Sequence, residues 1–309
     1  MENQNNVTEF VLLGFFMNQD LKMISFVIIL FCYFAIFLGN ISIFITIACC
    51  HLIQQPMYYF LCHLSIMDLA YTSTIVPRLI RDLIAKEKII SFISCMTQLF
   101  TAHFLVAIEM FILVSMAFDR YVAICKPLHY ITIVNRQRCN TMILMAWGVA
   151  FWHAIAQMLM VARLPFCGPN QIDHYLCDVK PLLKLVCADT HIANILVIAN
   201  SGMVVLTTFL VLVASYIVIL YNLRKHSSEG RRKALSTCGS HVMVVVLFFV
   251  PCISTYIGPP SAIKNDKEIS MFYTVIGPML NPLIYTLRNT EMKNAMQKIW
   301  STQMSLLFK

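Results

Sequence analysis

Apolar residues are gathered into seven long blocks, and short polar segments separate them. Five blocks contain no Asp, Glu, Lys or Arg: residues 23–50, 139–162, 192–223, 234–263 and 269–287. Two more carry a single acid each, Asp68 in residues 57–77 and Glu109 in residues 89–118. Every block reaches the roughly 18–20 residues that a helix needs to cross about 30 Å of hydrocarbon. The pattern predicts an all-α membrane protein built as a seven-transmembrane helix bundle.

The blocks divide the chain into an N-terminal tail (1–22), a seven-helix domain (23–287) and a C-terminal segment (288–309). The stretch "RNTEMKNAMQKIW", residues 288–300, is too short and too charged to span, so we expect an eighth helix that lies along the membrane interface. A soluble fold is excluded because helices that are apolar all round leave no amphipathic layer to face water. A β-barrel would show short alternating segments instead.

The distribution of basic residues orients the chain. With the N-terminus outside, the inner segments hold thirteen Lys and Arg residues and the outer segments hold ten. Basic residues favour the inner side of a membrane, so this count predicts that the N-terminus of a multi-pass membrane protein lies outside. The acids agree, with ten outside and three inside.

The net charge of +8 is concentrated on the inner face, which alone carries +10. The basic stretch "RKHSSEGRRKA", residues 224–234, lies in a short inner loop where it faces anionic lipid, so it does not indicate a nucleic-acid partner. The composition supports a membrane protein as well. Only 12% of residues are charged, whereas a soluble domain carries about a quarter.

The N-terminal tail carries a glycosylation acceptor, the triplet from Asn6 to Thr8. A second triplet that begins at Asn40 falls inside the first predicted span, where the glycosylation machinery cannot reach it. No basic region precedes the apolar stretch near the N-terminus, so we expect no cleaved signal peptide. The first span then targets the chain to the membrane by itself.

Four of the twelve cysteines fall on predicted outer segments: Cys95, Cys167, Cys177 and Cys187. Outer segments are oxidising, so disulfide bonds are expected there, and four cysteines allow three pairings. Cys95 begins the third span and the other three lie in the loop of residues 163–191, so at least one bridge should lay that loop across the mouth of the bundle. The other eight are expected to pack. None follows Arg288, which excludes palmitoylation of the interfacial helix.

Asp68 and Glu109 are the two acids deep within the predicted spans. A charge in the bilayer costs about 2.5–3.5 kcal/mol on insertion scales, which makes each acid a functional candidate. If they lie at similar depth in neighbouring helices, the two carboxyl groups either hold a cation such as sodium or share a proton. In the second case, hydrogen bonds from Asn40, Ser115 or Asn281 would satisfy them.

Three prolines interrupt the last two predicted spans. Pro251 in "FFVPC" and both Pro278 and Pro282 in "GPMLNPLIY" each remove a backbone hydrogen bond and kink a helix. Such pivots suit a bundle that changes shape, although prolines in membrane helices also serve packing alone.

Several motifs are specific enough to point to a family. In chain order they read "GN" at 39–40, "PMYYFL" at 56–61, "LSIMDLAYTS" at 64–73, "MAFDRYVAICKPLHY" at 116–130, "SY" at 215–216, "KALSTCGSH" at 233–241 and "PMLNPLIY" at 278–285. The chain closely resembles the odorant receptors, the olfactory branch of the rhodopsin-like G-protein-coupled receptors. The resemblance covers nearly the whole chain, and "MAFDRYVAIC" with "KALSTCGSH" separates the olfactory branch from other rhodopsin-like receptors.

The resemblance implies roles for individual residues. It pairs Cys95 with Cys177 and Cys167 with Cys187. It assigns a shared cation to Asp68 and Glu109, and the switch for G-protein coupling to Asp119, Arg120, Tyr121, Tyr216, Asn281, Pro282 and Tyr285. The chain departs from the family at Phe249, where many members have a tyrosine, so any polar contact of that hydroxyl is lost here. Its first inner loop, "HLIQQP", lacks the usual basic residue.

The resemblance also implies a mechanism. Asp119 holds Arg120 at the inner end of span three, and span six caps the pair in the resting state with an inner end that carries Ser236, Thr237 and His241. A ligand in the outer half favours a state in which span six swings away. A stimulatory heterotrimeric G protein then docks against Arg120 and raises cAMP. No reaction is catalysed, so the chain is not expected to be an enzyme.

Family position and helical spacing place the ligand among spans three, five, six and seven, beneath the long outer loop. The expected contacts are Ala102, His103, Val106, Ala107, Asn200, Ser201, Val204, Cys252, Ile253, Tyr256, Met271 and Thr274. The set is apolar with a few polar anchors, as small-molecule sites usually are. It holds no Lys, Arg, Asp or Glu, which predicts a small neutral odorant with one hydrogen-bonding group rather than a carboxylate or an amine.

Two other classes of membrane protein fit less well. A transporter usually shows internal repeats with matched broken helices, and the two halves of this chain share no motif. An intramembrane enzyme needs a convergent nucleophile and base, but Ser240 and His241 are adjacent on one helix and project about 100° apart. The pattern favours a receptor that needs no organic cofactor.

Overall fold

The computed structural model describes residues 7–15, 19–167, 170–224, 227–257 and 266–307, and most of them are helical. In chain order the helices are α1 (Gln19–Cys49), α2 (Pro56–Ile84), α3 (Phe92–Cys125), α4 (Tyr130–Ile133), α5 (Arg136–Ala162), α6 (Val179–Leu183), α7 (His191–Leu223), α8 (Ser228–Ile257), α9 (Asp266–Met271), α10 (Gly277–Arg288) and α11 (Thr290–Leu307). Each predicted apolar block lies mainly on one long helix, with α9 and α10 counted together. Residues 258–263 of the sixth block lie outside the described residues.

Local sequence explains where the central helices begin. The hydroxyl of Ser91 accepts a hydrogen bond from the Ser94 amide at 3.2 Å at the start of α3. The side-chain carbonyl of Asn135 accepts one from the Arg138 amide at 2.9 Å at the start of α5. Each cap satisfies an amide that the first helical turn leaves unpaired. Pro56 begins α2, at a position where its missing N–H is not needed.

The hydrogen-bond pattern of the last helix changes beside its prolines. A π-helical turn over Phe272–Ile276 joins α9 to α10, directly before Gly277 and Pro278. Pro278 has no N–H to donate to the preceding turn, so the hydrogen-bond ladder shifts its register there. Pro251 and Pro282 lie inside α8 and α10.

A small sheet at the outer end of the bundle corrects the all-α prediction. Strand β1 (Glu9–Leu12) pairs antiparallel with β2 (Ile89–Ser91) and parallel with β3 (Gln171–Ile172), in the order β2-β1-β3. The third helix therefore begins at Phe92, and residues 89–91 of the predicted span are strand. The strands are short and far apart in sequence, so no local alternation of apolar and polar residues marks them.

The perimeter of the helix bundle, formed by the side chains that point away from its core, is apolar. Within the described ranges, five helices are long and apolar enough to cross a membrane: Leu21–Cys49, Phe92–Cys125, Arg136–Ala162, His191–Leu223 and Cys238–Thr255. Their outward side chains include Phe31 and Trp152, which are 71% and 72% exposed. Apolar surface on this scale indicates a lipid-facing belt, and with the number of such helices it indicates a multi-pass membrane protein.

Helix α3 lies at the centre and packs against α2, α5, α7 and α8. The main apolar core runs along it, and a second core joins the sheet, the start of α3 and α6 through Phe10, Ile90 and Leu182. Helix α11 packs against α1 and α10 and continues to Leu307, seven residues beyond the predicted 288–300. The glycosylation acceptor Asn6 lies outside the described residues.

Candidate functional site

Two disulfide bonds hold the long outer loop over the bundle. Cys95 at the start of α3 is bonded to Cys177, with 5.5 Å between the Cα atoms. Cys167 is bonded to Cys187, with 5.7 Å between the Cα atoms. These are the pairs that the family resemblance implies. The first bridge fixes the loop to the helix that carries most of the candidate site.

Beneath this loop lies a pocket between α3, α5 and α7. Six of the predicted contacts line it: Ala102, His103, Val106, Ala107, Ser201 and Val204. Eight further residues complete the lining: Tyr71, Met110, His153, Leu176, Cys177, Asp178, Val205 and Tyr273. The free volume is about 30 Å³, enough for one or two water molecules. A ligand larger than a few atoms therefore requires the lining side chains to move apart.

The loop brings an acid into the pocket, which the expected set of contacts did not contain. Asp178 is 5% exposed, and its carboxylate lies 3.3 Å from Nε2 of His103. Burial alone would raise the pKa of Asp178. The hydrogen bond and charge interaction with His103 and the hydrogen bond from the Val179 amide outweigh burial, so the pKa of Asp178 lies below its ordinary value. The carboxylate stays ionised and is engaged by these neighbours.

Two hydrogen bonds join α5 to α7 beside the pocket. Nδ1 of His153 lies 3.2 Å from Oδ1 of Asn200, and Nε2 of Gln157 donates to the hydroxyl of Ser201. His153 lines the pocket but was not predicted, whereas Asn200 was predicted and lies behind the His153 ring. The lining of the pocket thus includes His153 of α5, a helix absent from the expected set.

The remaining predicted contacts do not line this pocket. Thr274 is fully buried and hydrogen-bonds the Tyr175 hydroxyl at 2.9 Å, and Cys252 is fully buried in the main core. Ile253 and Met271 are partly buried against the same core. The side chain of Tyr256 lies outside the described part of the chain. Residues 176–178 of the outer loop lie beside α3, where the sequence predicts side chains of α8 and α9.

The outer loop is fastened to α8 and α9 as well. The Tyr175 hydroxyl bonds Ser270 at 2.7 Å, and Lys180 donates to the carbonyl oxygen of Thr255. Lys267 pairs with Asp173 at 2.5 Å. These contacts close the pocket from the outer side.

The ring of His174 is buried in the same loop. The Leu176 amide donates to its Nδ1 at 3.3 Å, and the ring stacks on Tyr175 at 4.6 Å between centroids. Burial lowers the pKa of His174 to about 4, because desolvation outweighs the charge of Asp178. The imidazole is therefore neutral at physiological pH.

The two deep acids meet in the middle of the bundle. The side chains of Asp68 on α2 and Glu109 on α3 interact directly, and both are buried. The Asn281 amide donates to Oδ2 of Asp68 at 2.9 Å, whereas Ser115 bonds the carbonyl of Phe111. Oδ1 of Asp68 and Oε1 of Glu109 have no hydrogen-bond partner within the described residues. Two unpartnered carboxyl oxygens fit either a monovalent cation or one shared proton.

The inner end of α3 holds the Asp119–Arg120 pair. Nη2 and Nε of Arg120 bond Oδ2 of Asp119 at 2.6 and 3.0 Å. The Tyr130 hydroxyl donates to Oδ1 at 2.6 Å, and burial together with Asp119 raises the pKa of this phenol. Asp119 is fully buried, and among the described residues these donors are the ones that balance its charge.

The other predicted switch residues lie on α3, α7 and α10. The Tyr216 hydroxyl is hydrogen-bonded to Nδ1 of His241 on α8, and Tyr121 packs beside it. The Tyr285 hydroxyl is buried without a partner in the described part of the structure. Pro282 packs against Gly39 of α1. The side chains of Ser236 and Thr237 lie outside the described residues.

Comparisons with known proteins agree with this arrangement. A sequence model of the olfactory receptor family matches residues 29–303. The chain is 53% identical to olfactory receptor 4S2 of Homo sapiens over 306 residues, which cover 99% of this chain and 98% of the relative. It is 51% identical to olfactory receptor 4B13 of Mus musculus over 300 residues, with 97% and 98% covered. It is 50% identical to olfactory receptor 4B1 of Homo sapiens over 301 residues, with 97% of each covered.

Proposed function

Because the chain belongs to the olfactory receptor family, we propose that it binds a small neutral odorant and activates a stimulatory heterotrimeric G protein that raises cAMP. The observation that carries the proposal is the layout of α3. Pocket residues lie around Ala102 and Ala107, and the Asp119–Arg120 pair lies at the other end. Arg120 lies eighteen positions after Ala102, which corresponds to about 27 Å along the helix.

The proposed topology has seven membrane crossings: α1, α2, α3, α5, α7, α8 and the continuous helix from α9 to α10. The N-terminus faces the outside of the plasma membrane, where Asn6 is available for glycosylation. Helix α11 lies along the inner interface with its basic residues near anionic lipid headgroups. The apolar belt supports the crossings, and the bias of Lys and Arg towards the inner segments supports the direction.

Signalling follows from a change of shape. An odorant that enters the pocket separates α3, α5 and α7, and this state is linked to movement of the inner half of α8. The Tyr216–His241 hydrogen bond joins α7 to α8 beside Arg120, so it has to rearrange when α8 moves. Arg120 then faces an open cleft where the G protein docks. The ligand acts only through its greater affinity for the active state.

The site formed by Asp68 and Glu109 is proposed to hold a sodium ion in the resting state. Oδ1 of Asp68 and Oε1 of Glu109 are both buried and have no hydrogen-bond partner in the described region, so both are available as ligands. Oxygen ligands of this kind suit a hard cation. A proton shared between the carboxyl groups is the alternative.

The test of function is Arg120→Ala in cells that express the stimulatory olfactory G protein. The variant should reach the cell surface at the wild-type level and lose odorant-dependent cAMP. Arg138→Ala is the matched control, because Arg138 is also an inner arginine but bonds only the carbonyl oxygen of Ile133 among described acceptors. Normal signalling by Arg120→Ala, or equal loss in the control, would contradict the proposed role of Arg120.

A further inference from the structure

Two polar residues of the pocket lining, His153 on α5 and Ser201 on α7, are hydrogen-bonded to neighbours on the facing helix. His153 and Gln157 are one helical turn apart, so they share a face of α5. Their partners Asn200 and Ser201 are consecutive on α7. Of these four residues, His153 and Ser201 line the pocket, and Asn200 and Gln157 stand behind them.

Asn200 fixes which nitrogen of His153 carries the proton. The Asn200 amide nitrogen donates to the backbone carbonyl of His153 at 3.4 Å, so the amide oxygen faces the ring. This oxygen can only accept, so Nδ1 of His153 must carry the hydrogen across the 3.2 Å contact. In a neutral imidazole the other nitrogen is then an acceptor. Nε2 of His153, which has no hydrogen-bond partner within the described residues, therefore offers a lone pair.

Gln157 sets the role of Ser201 in the same way. The Gln157 amide nitrogen donates to Oγ of Ser201, and an amide nitrogen cannot accept. The hydroxyl hydrogen of Ser201 is left to donate elsewhere. The pocket thus offers one acceptor from α5 and one donor from α7.

We propose that the ligand of this receptor is an alcohol whose hydroxyl donates to Nε2 of His153 and accepts from Ser201. This inference rests on the proposed function and names the ligand class. An alcohol is both donor and acceptor, so it satisfies the two groups together. A ketone, an ester or an ether can accept a hydrogen bond from Ser201. It has no hydrogen to donate to Nε2 of His153, so its lone pairs repel the lone pair of that nitrogen. An ammonium group has no such match, because Asp178 is already engaged by His103 and Val179.

The first experiment compares alcohols with their oxidised and methylated counterparts. Cells that express the receptor are exposed to menthol and menthone, borneol and camphor, carveol and carvone, and the methyl ether of each alcohol. The best alcohol should give half-maximal cAMP at about a tenfold lower concentration than its ketone or ether, the size expected for one net hydrogen bond. Equal potency, a preference for the ketones, or a response to the ketones with none to any alcohol would overturn the proposal.

The second experiment removes the acceptor without emptying the site. His153→Phe keeps a ring but lacks Nε2. The alcohol and its ketone should therefore become about equally potent in the variant, while the response to the ketone stays. Val204→Ile, a change on the apolar wall, should shift both potencies together and keep the ratio. Surface labelling excludes variants that fail to fold. An unchanged ratio in His153→Phe would refute the role of His153.

Binding is measured separately from signalling. Purified receptor in detergent is heated with each alcohol or its ketone, and the alcohol should raise the unfolding temperature more. A selective shift without any cAMP response would contradict the proposed G-protein coupling but support the ligand class. A cAMP response with no preference for alcohols would support the proposed G-protein coupling and contradict the proposed ligand class.

Discussion

Acid should loosen the outer loop through His174. In the folded protein the pKa of this buried ring is about 4, below its ordinary value of 6.5. Between these two pH values the unfolded chain binds a proton that the folded chain does not, so stability falls as the pH falls from 6.5 towards 4. A depression of about 2.5 units at about 1.36 kcal/mol per unit gives a loss on the order of 3 kcal/mol across that window. Above pH 6.5 His174 should have no effect.

The assay is the unfolding temperature of purified receptor at pH 7, 6, 5 and 4, compared with that of His174→Gln. The variant lacks the titrating ring, so it should lose part of the decline below pH 6.5. His191→Gln is the matched control, because His191 is an exposed histidine at the start of α7 and should leave the decline unchanged. A wild-type curve that is flat between pH 6.5 and 4, or an identical decline in His174→Gln, would refute the reasoning.

Two further predictions concern the packing of α1 and the acid pair. Gly39→Ala should lower the free energy of unfolding by about 1–3 kcal/mol, because its Cβ would lie 3.0 Å from Cβ of Pro282 on a rigid ring. Gly148→Ala is the control in the same thermal assay. It should be neutral, because its Cβ meets no atom within 4 Å. Sodium should stabilise the receptor by about 1 kcal/mol over choline at a concentration several times its dissociation constant. Asp68→Asn should abolish this difference, and its persistence would exclude the cation site.

The long helices follow from sequence because apolar blocks and caps are local signals. A block such as 192–223 has one physical solution in lipid, a helix that pairs its own backbone groups, and α7 begins and ends within one residue of it. The strands depend on pairs such as Phe10 with Ile90, which no local pattern encodes. Residues 89–91 belong to an apolar block that predicts a membrane-spanning helix, but in the structure they form a strand that pairs with β1.

The candidate site is predictable to a similar extent and for the same reason. On α3, the family resemblance together with helical spacing identifies Ala102, His103, Val106 and Ala107, and all four line the pocket. The contribution of Asp178 depends on where the Cys95–Cys177 bridge lays the loop, which spacing does not reveal. His153 could have been suspected as the one strongly polar ring within an otherwise apolar block, 139–162.

The closed pocket and the unpaired groups at the inner end together explain how a small ligand can shift the bundle. A pocket with about 30 Å³ of free volume excludes an odorant, so the ligand has almost no affinity for this state. Its whole binding free energy then favours the expanded state. The Tyr285 hydroxyl and Nε2 of His241 are both buried without partners among the described residues. Each such group destabilises the closed state by about 1–3 kcal/mol. A rearrangement that gives either group a partner therefore reduces the free-energy difference between the closed and the expanded state, which the binding of the odorant has to supply.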